Sequence, residues 1–107
     1  MINYEKFKEL YEAIPGEPEF ELYFNNTEDT YWIIKYADFV TFQKSGYDTS
    51  NLSEIEYKNL DELYNANLID NINLKNDWKN ISDIVIGGSF SVVDDKDDIE
   101  YVYKVKL

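Results

Sequence analysis

The sequence predicts an α+β fold: an antiparallel sheet of about five to six strands, with an N-terminal helix and one or two mid-chain helices on one face. Three observations carry that expectation. Apolar residues recur at three- and four-residue spacing before Pro15 and at two-residue spacing from Glu19 onward. The later apolar runs are short and rich in aromatic and β-branched residues, the composition of strands. Between them stand clusters of Asn, Asp, Gly and Ser, which favour turns through local hydrogen bonds and backbone freedom.

Asn3 reads as an N-cap, with a helix from there to about Ala13 and an apolar stripe of Tyr4, Phe7, Leu10, Tyr11 and Ile14. Glu5, Glu9 and Glu12 take the solvated side beside Lys6 and Lys8. Pro15 disfavours helical geometry at Ile14 and Gly16 permits a turn, so the helix stops there. Phe20, Leu22 and Phe24 then alternate with Glu19, Glu21 and Tyr23, a strand with one buried face. Asn25 to Asp29 turns the chain into a second strand at about Thr30 to Tyr36. Phe39 to Gln43 is the next strand of the meander, and a polar loop runs on to about Asn51. Glu54 to Tyr57 alternates more weakly and suits an edge.

Asn59 or Asp61 starts a second helix with Leu60, Leu63 and Tyr64 on its buried side. The Asn-dense stretch from Asn65 to Asn73 keeps Leu68, Ile69 and Ile72, which suits an irregular but packed connection. A short helix from about Leu74 to Asn80 carries Trp78, and Ile81 to Ile86 is a strand. Gly87-Gly88 marks a bulge or bend. Ser89 to Val93 and Ile99 to Val105 form a closing hairpin around the acidic tip Asp94-Asp95-Lys96-Asp97-Asp98. No repeat or linker divides the 107 residues, so one domain spanning 1–107 is expected.

Composition narrows the function. Ten Tyr, six Phe and two Trp are enough to build a core in a short chain, because each buries about 150–250 Å². Cys and His are absent and every basic residue is Lys. The usual thiolate nucleophile, the usual neutral-pH base and bidentate anion clamping are therefore all missing. A catalyst would have to work through Asp, Glu, Lys, Tyr, Ser and Thr, so an enzyme is not expected; a small carboxylate-dependent enzyme or an assembly subunit is the alternative. A net charge of −12 repels nucleic acid and anionic membranes. It has two readings, solubility alone or steering toward a basic partner protein. The N-terminus lacks the apolar core of a signal peptide and no apolar run reaches membrane-span length, so a cytoplasmic protein is expected, as a monomer or small homo-oligomer.

Several clusters resemble sites and are better explained otherwise. The acidic tip fails the calcium-loop pattern from Asp94, where the third position is Lys96, and from Asp95, where the fifth is Ile99. Gly87-Gly88-Ser89 lacks the lysine and following helix of a phosphate loop. No cofactor or metal ligand set is expected. Glu19 with Glu21, and Glu54 with Glu56, put like charges side by side on a strand face. Trp32, Ile34 and Tyr36 share one sheet face while Tyr31 and Ile33 share the other, which suits a central strand or an aromatic patch. Aromatics rimmed by carboxylates make a recognition surface. The expected partner-binding residues are Glu19, Glu21, Tyr23, Tyr31, Trp32 and Tyr36 on the strands, with Asp94, Asp95, Asp97 and Asp98 at the tip.

Within Tyr57 to Ile86, the run Asn59-Leu60-Asp61-Glu62-Leu63-Tyr64-Asn65-Ala66, then Leu68-Ile69-Asp70 and Leu74-Lys75-Asn76-Asp77-Trp78, resembles small acidic bacterial immunity-type proteins. The resemblance implies a stoichiometric inhibitor that covers the basic surface of a cognate toxin and carries no catalytic residues. A nucleic-acid mimic of phage type, occupying the groove of a nucleic-acid-binding protein, is a neighbouring expectation.

Overall fold

Helix α1 (Tyr4–Ala13) begins where the sequence places it: the Asn3 side chain accepts a hydrogen bond from the Lys6 amide at 2.9 Å. The computed structural model describes residues 2–45, 54–87 and 90–91. Strands β1 (Glu19–Phe24), β2 (Thr30–Lys35), β3 (Val40–Lys44) and β4 (Glu54–Tyr57) follow, each antiparallel to the one before. Helix α2 (Leu60–Asn65) and α3 (Leu74–Asp77) come next, with 3₁₀ turns at Ile69–Asn71 and Trp78–Asn80. Strand β5 (Ile81–Ile86) returns to lie antiparallel beside β1, and β6 (Phe90–Ser91) pairs with β5. The sheet order is β4-β3-β2-β1-β5-β6, an α+β architecture with β4 at one edge.

Each α-helix among the described residues starts with an Asn cap. Asn59 accepts from the Glu62 amide at 2.8 Å and Asn73 from the Asn76 amide at 3.1 Å, as Asn3 does for α1. Asn59, and not Asp61, therefore opens α2; Asp61 sits inside the first turn and its carboxylate serves α1 instead. Each such cap contributes about 0.5–2 kcal/mol relative to Ala. Tyr36 leaves β2 early, because its amide donates to the Phe39 carbonyl at 2.9 Å and the chain turns between them. Its ring stacks on Phe39 at 4.7 Å. β3 consequently starts one residue later than expected.

The connection from Asn65 to Asn73 is packed as anticipated, with Leu68 buried and Ile69 and Ile72 against the core. Its bend uses two successive left-handed residues, Asp70 (φ 60°) and Asn71 (φ 62°), types that tolerate this region through short polar side chains. The irregularity expected at the glycines divides in two. Gly87 turns the chain at φ 58°, while the register shift against β1 lies earlier, at Ser82, whose hydroxyl donates to the Tyr23 carbonyl at 3.2 Å. Of the closing hairpin only Phe90–Ser91 belongs to the described residues; Ile99 to Val105 lies outside them.

The core lies between one sheet face and the helices. Phe20, Leu22 and Phe24 of β1, Tyr31 and Ile33 of β2, Val40 and Phe42 of β3, and Ile84 and Ile86 of β5 all point into it. Phe7 of α1 meets Phe20 edge-on at 5.1 Å and Trp78 at 5.5 Å. The Trp78 indole donates to the Ile2 carbonyl at 3.0 Å, which ties the N-terminal segment to the end of the helical region. Lys35 also stands on this face. Its ammonium donates to the Tyr11 and Ile14 carbonyls at 2.8 and 3.0 Å, the negative end of α1, and lies 5.1 Å from the Tyr11 ring centroid.

On the opposite face Thr41 is only 2% exposed, and its hydroxyl has no hydrogen-bond partner among the described residues. Two stability changes are expected from these contacts. Lys35→Met uncaps the carbonyls ending α1 and lowers unfolding free energy by about 1–2 kcal/mol. Thr41→Val removes an unsatisfied buried hydroxyl and raises stability by up to about 1 kcal/mol. Urea unfolding followed by far-ultraviolet circular dichroism measures both.

Candidate interaction surface

Alternation along β1 turns Glu19, Glu21 and Tyr23 away from the core face that carries Phe20, Leu22 and Phe24. Pairing then fixes their neighbours: Glu19 faces Ile34, Glu21 faces Trp32, and Tyr23 faces Thr30 on β2. Trp32 in turn faces Gln43 and Ile34 faces Thr41 on β3, while Thr41 faces Glu56 on β4. On the other side of β1, Val85 stands opposite Glu21 and Asp83 opposite Tyr23. The helices bury their apolar sides in the single cluster on the inner face. This face has Glu19, Glu21 and Asp83 beside Trp32 and Tyr23 on the central strands, Glu56 at the β4 side, and Ile34 and Thr41 buried between them, and none of the positions just named is a lysine.

Both carboxylate oxygens of Glu21 are engaged by neighbouring hydroxyls. The Tyr23 hydroxyl donates to its Oε1 at 2.8 Å and the Thr30 hydroxyl to its Oε2 at 3.1 Å. The bond from Tyr23 to a carboxylate also pushes the phenol upward from its ordinary pKa. Trp32, Tyr23 and Glu21 are half-buried and Glu19 is exposed. Four of the sequence-predicted residues, Glu19, Glu21, Tyr23 and Trp32, thus come together on one surface.

Two others do not join them. Tyr31 is 2% exposed on the inner face, where its ring stacks on Phe42 at 5.5 Å. Tyr36 stands past the end of β2 and borders a separate depression with Lys8, Asp61 and Lys58. Asp94, Asp95, Asp97 and Asp98 lie outside the described residues.

The structure also assembles a group that sequence reasoning missed. The Tyr31 hydroxyl donates to Asp70 Oδ2 at 2.6 Å, and the Lys44 ammonium reaches the same oxygen at 2.9 Å and Asp29 at 3.6 Å. They line a cleft of about 430 Å³ with Asn26, Thr27 and Asp77. The only local signal was the Asn- and Asp-rich bend that lets Asp70 adopt a left-handed conformation; nothing local marked Tyr31 as its partner. A second polar anchor follows the same design: Asp61 accepts from the Tyr4 hydroxyl at 2.6 Å and from Lys8 at 2.7 Å.

Hydrogen bonds from Tyr31 and Lys44 hold the Asp70 carboxyl below the usual carboxylate range, and those from Lys8 and Tyr4 do the same for Asp61. Burial, reinforced by the acidic partner, pushes Tyr4 and Tyr31 far above the ordinary phenol value, and burial pushes Tyr11 up to about 12. Among the described residues no grouping of carboxylates is suited to hold a metal ion, and no helix is long and apolar enough to cross a membrane. No protein-family model, curated protein or solved structure matches the chain.

A pH prediction follows from the direction of these shifts. A carboxyl depressed in the folded state adds stability above its unfolded pKa of about 3.9, and that stability is lost as pH falls through the folded value. The raised phenols act oppositely: their contribution is complete below pH about 10 and disappears as pH rises past it. The Asp70→Asn variant is therefore expected to be less stable than the wild type at pH 7 and to show a shallower loss between pH 5 and 2. Thermal unfolding across that range, with Asp61→Asn in parallel, measures the slopes.

Proposed function

We propose that the chain is a non-catalytic acidic binding protein, a stoichiometric inhibitor of immunity type that covers a basic partner protein with the outer face of its sheet. The observation that carries this reading is the composition of that face: Glu19, Glu21 and Asp83 adjoin Trp32 and Tyr23, with Glu56 farther off on β4 and no lysine at those paired positions. Aromatics give large contact area at small entropic cost, and a carboxylate rim steers a basic partner and fixes its register. Among the described residues, Lys8 pairs with Asp61 and Lys44 with Asp29 and Asp70, at positions away from this face. The partner is a toxin or a nucleic-acid-binding protein, whose basic surface this charge complements.

The carboxylate-enzyme alternative has less support. A general acid at neutral pH needs a carboxyl with a raised pKa, and the Asp70 carboxyl in the larger cleft is shifted the other way. A nucleic-acid mimic calls for an unbroken row of charges, whereas here Trp32, Ile34 and Thr41 separate the carboxylates of β1 from Glu56 of β4.

Affinity capture from lysate at low and moderate salt tests the reading, using the wild type, the double variant Glu19→Lys/Glu21→Lys and a Glu9→Lys control on α1. A basic protein retained by the wild type and the control, released as salt rises, lost by the double variant and inhibited one-to-one by the purified chain is the expected result. Retention indifferent to the double variant, or the absence of any basic protein among those retained, overturns it.

A further inference from the structure

Glu21 and Trp32 are a directly opposed cross-strand pair, so their Cα atoms lie about 4.5–5.5 Å apart and their side chains rise from the sheet together. Glu21 is held from both sides: each carboxylate oxygen accepts one hydroxyl, from Tyr23 at 2.8 Å and from Thr30 at 3.1 Å. A carboxylate has about four acceptor sites, so each oxygen keeps one more. Two acceptors on one fixed carboxylate match the forked donors of a guanidinium better than the single compact charge of an ammonium. Trp32 supplies the other half, because a guanidinium stacks on an indole face while its edge N–H groups remain available for hydrogen bonds. Glu19, two residues along the same face of β1, adds negative potential without a described hydrogen bond to hold it in place.

We infer that the Glu21–Trp32 pair is the anchor of the outer face and that it receives an arginine side chain from the basic partner. This rests on the proposed function and sharpens it: the partner's central contact is arginine, and general basicity governs the rim. An ordered carboxylate raises specificity here because little side-chain freedom is left to lose on binding. Neither Tyr31, closed into the core, nor Tyr36, beyond the end of β2, can contribute to this anchor.

The test uses the full chain and two probes of equal charge, hexa-arginine and hexa-lysine, with backbone amide shifts reporting the location and the dissociation constants reporting the preference. Hexa-arginine is expected to bind at least fivefold more tightly, with shifts centred on residues 19–23 and 30–34. Glu21→Gln, which preserves shape, and Trp32→Leu should each bring the two peptides to within twofold of one another. Glu5→Gln, which removes the same charge from the exposed side of α1, should leave the preference intact. Equal affinities with shifts on this face overturn the arginine anchor and leave the basic-partner reading standing. An arginine preference that survives Glu21→Gln also overturns the anchor. Shifts centred elsewhere, such as the Asp70 cleft, overturn both.

Discussion

The contact on which the rest of the structure depends is the ring of Phe7, closed from solvent between Phe20 of β1 and Trp78 at the end of the helical region. Three parts of the chain, far apart in sequence, meet at that ring. It seats α1 on the centre of the sheet, and the Trp78 indole fastens the N-terminal segment through the Ile2 carbonyl. Tyr4 extends the same packing, stacking on Tyr64 of α2 at 3.6 Å and meeting Trp78 edge-on at 5.6 Å. Aromatic pairs of this kind add about 0.5–1.5 kcal/mol each beyond the area they bury. A chain with no cysteine is thus held by interlocking rings on one side of its sheet.

The seating of the helices on one face determines where charge can go, although Ile34 and Thr41 are buried on the other. Strands flanked by helices on one face must send every second residue to the other, and in β1 those residues are Glu19, Glu21 and Tyr23. Lysine serves the interior architecture in several places: Lys35 at the end of α1, Lys8 between α1 and α2, and Lys44 between β3 and the bend at Asp70. The acidity of the chain is therefore uneven in its consequences. Among the described residues lysines balance it where helices and loops join the sheet, while Glu19 and Glu21 of the central strand β1 stand on the other face beside Trp32.

The two polar anchors solve a common problem with the same chemistry. A tyrosine whose ring is committed to the core needs a partner for its hydroxyl, and in each case an aspartate on a neighbouring element accepts it while a lysine balances the charge. Asp70 reaches Tyr31 only because the backbone there is left-handed, a conformation that a β-branched residue would resist. The bend is accordingly matched to the position of β2, and its residues are chosen by that match as much as by local turn preference.

Much of this was legible in the residues themselves. The change from helical to strand period at Pro15, the Asn cap at Asn3 and the shared face of Glu19, Glu21 and Tyr23 along β1 all follow from local stereochemistry, which operates over a few residues. The choice of Asn59 over Asp61 as the cap of α2 and the place of Trp32 beside Glu21 do not. Other features needed the folded chain. Tyr31 and Trp32 are adjacent and similar in type, yet one is core and the other surface, and only the side on which the helices settled decided which. The return of β5 to the flank of β1, and the meeting of Tyr31 with Asp70 across 39 positions, are products of non-local closure. Local propensity and period carry no record of such contacts, because they form only when burial of the shared core brings distant segments together.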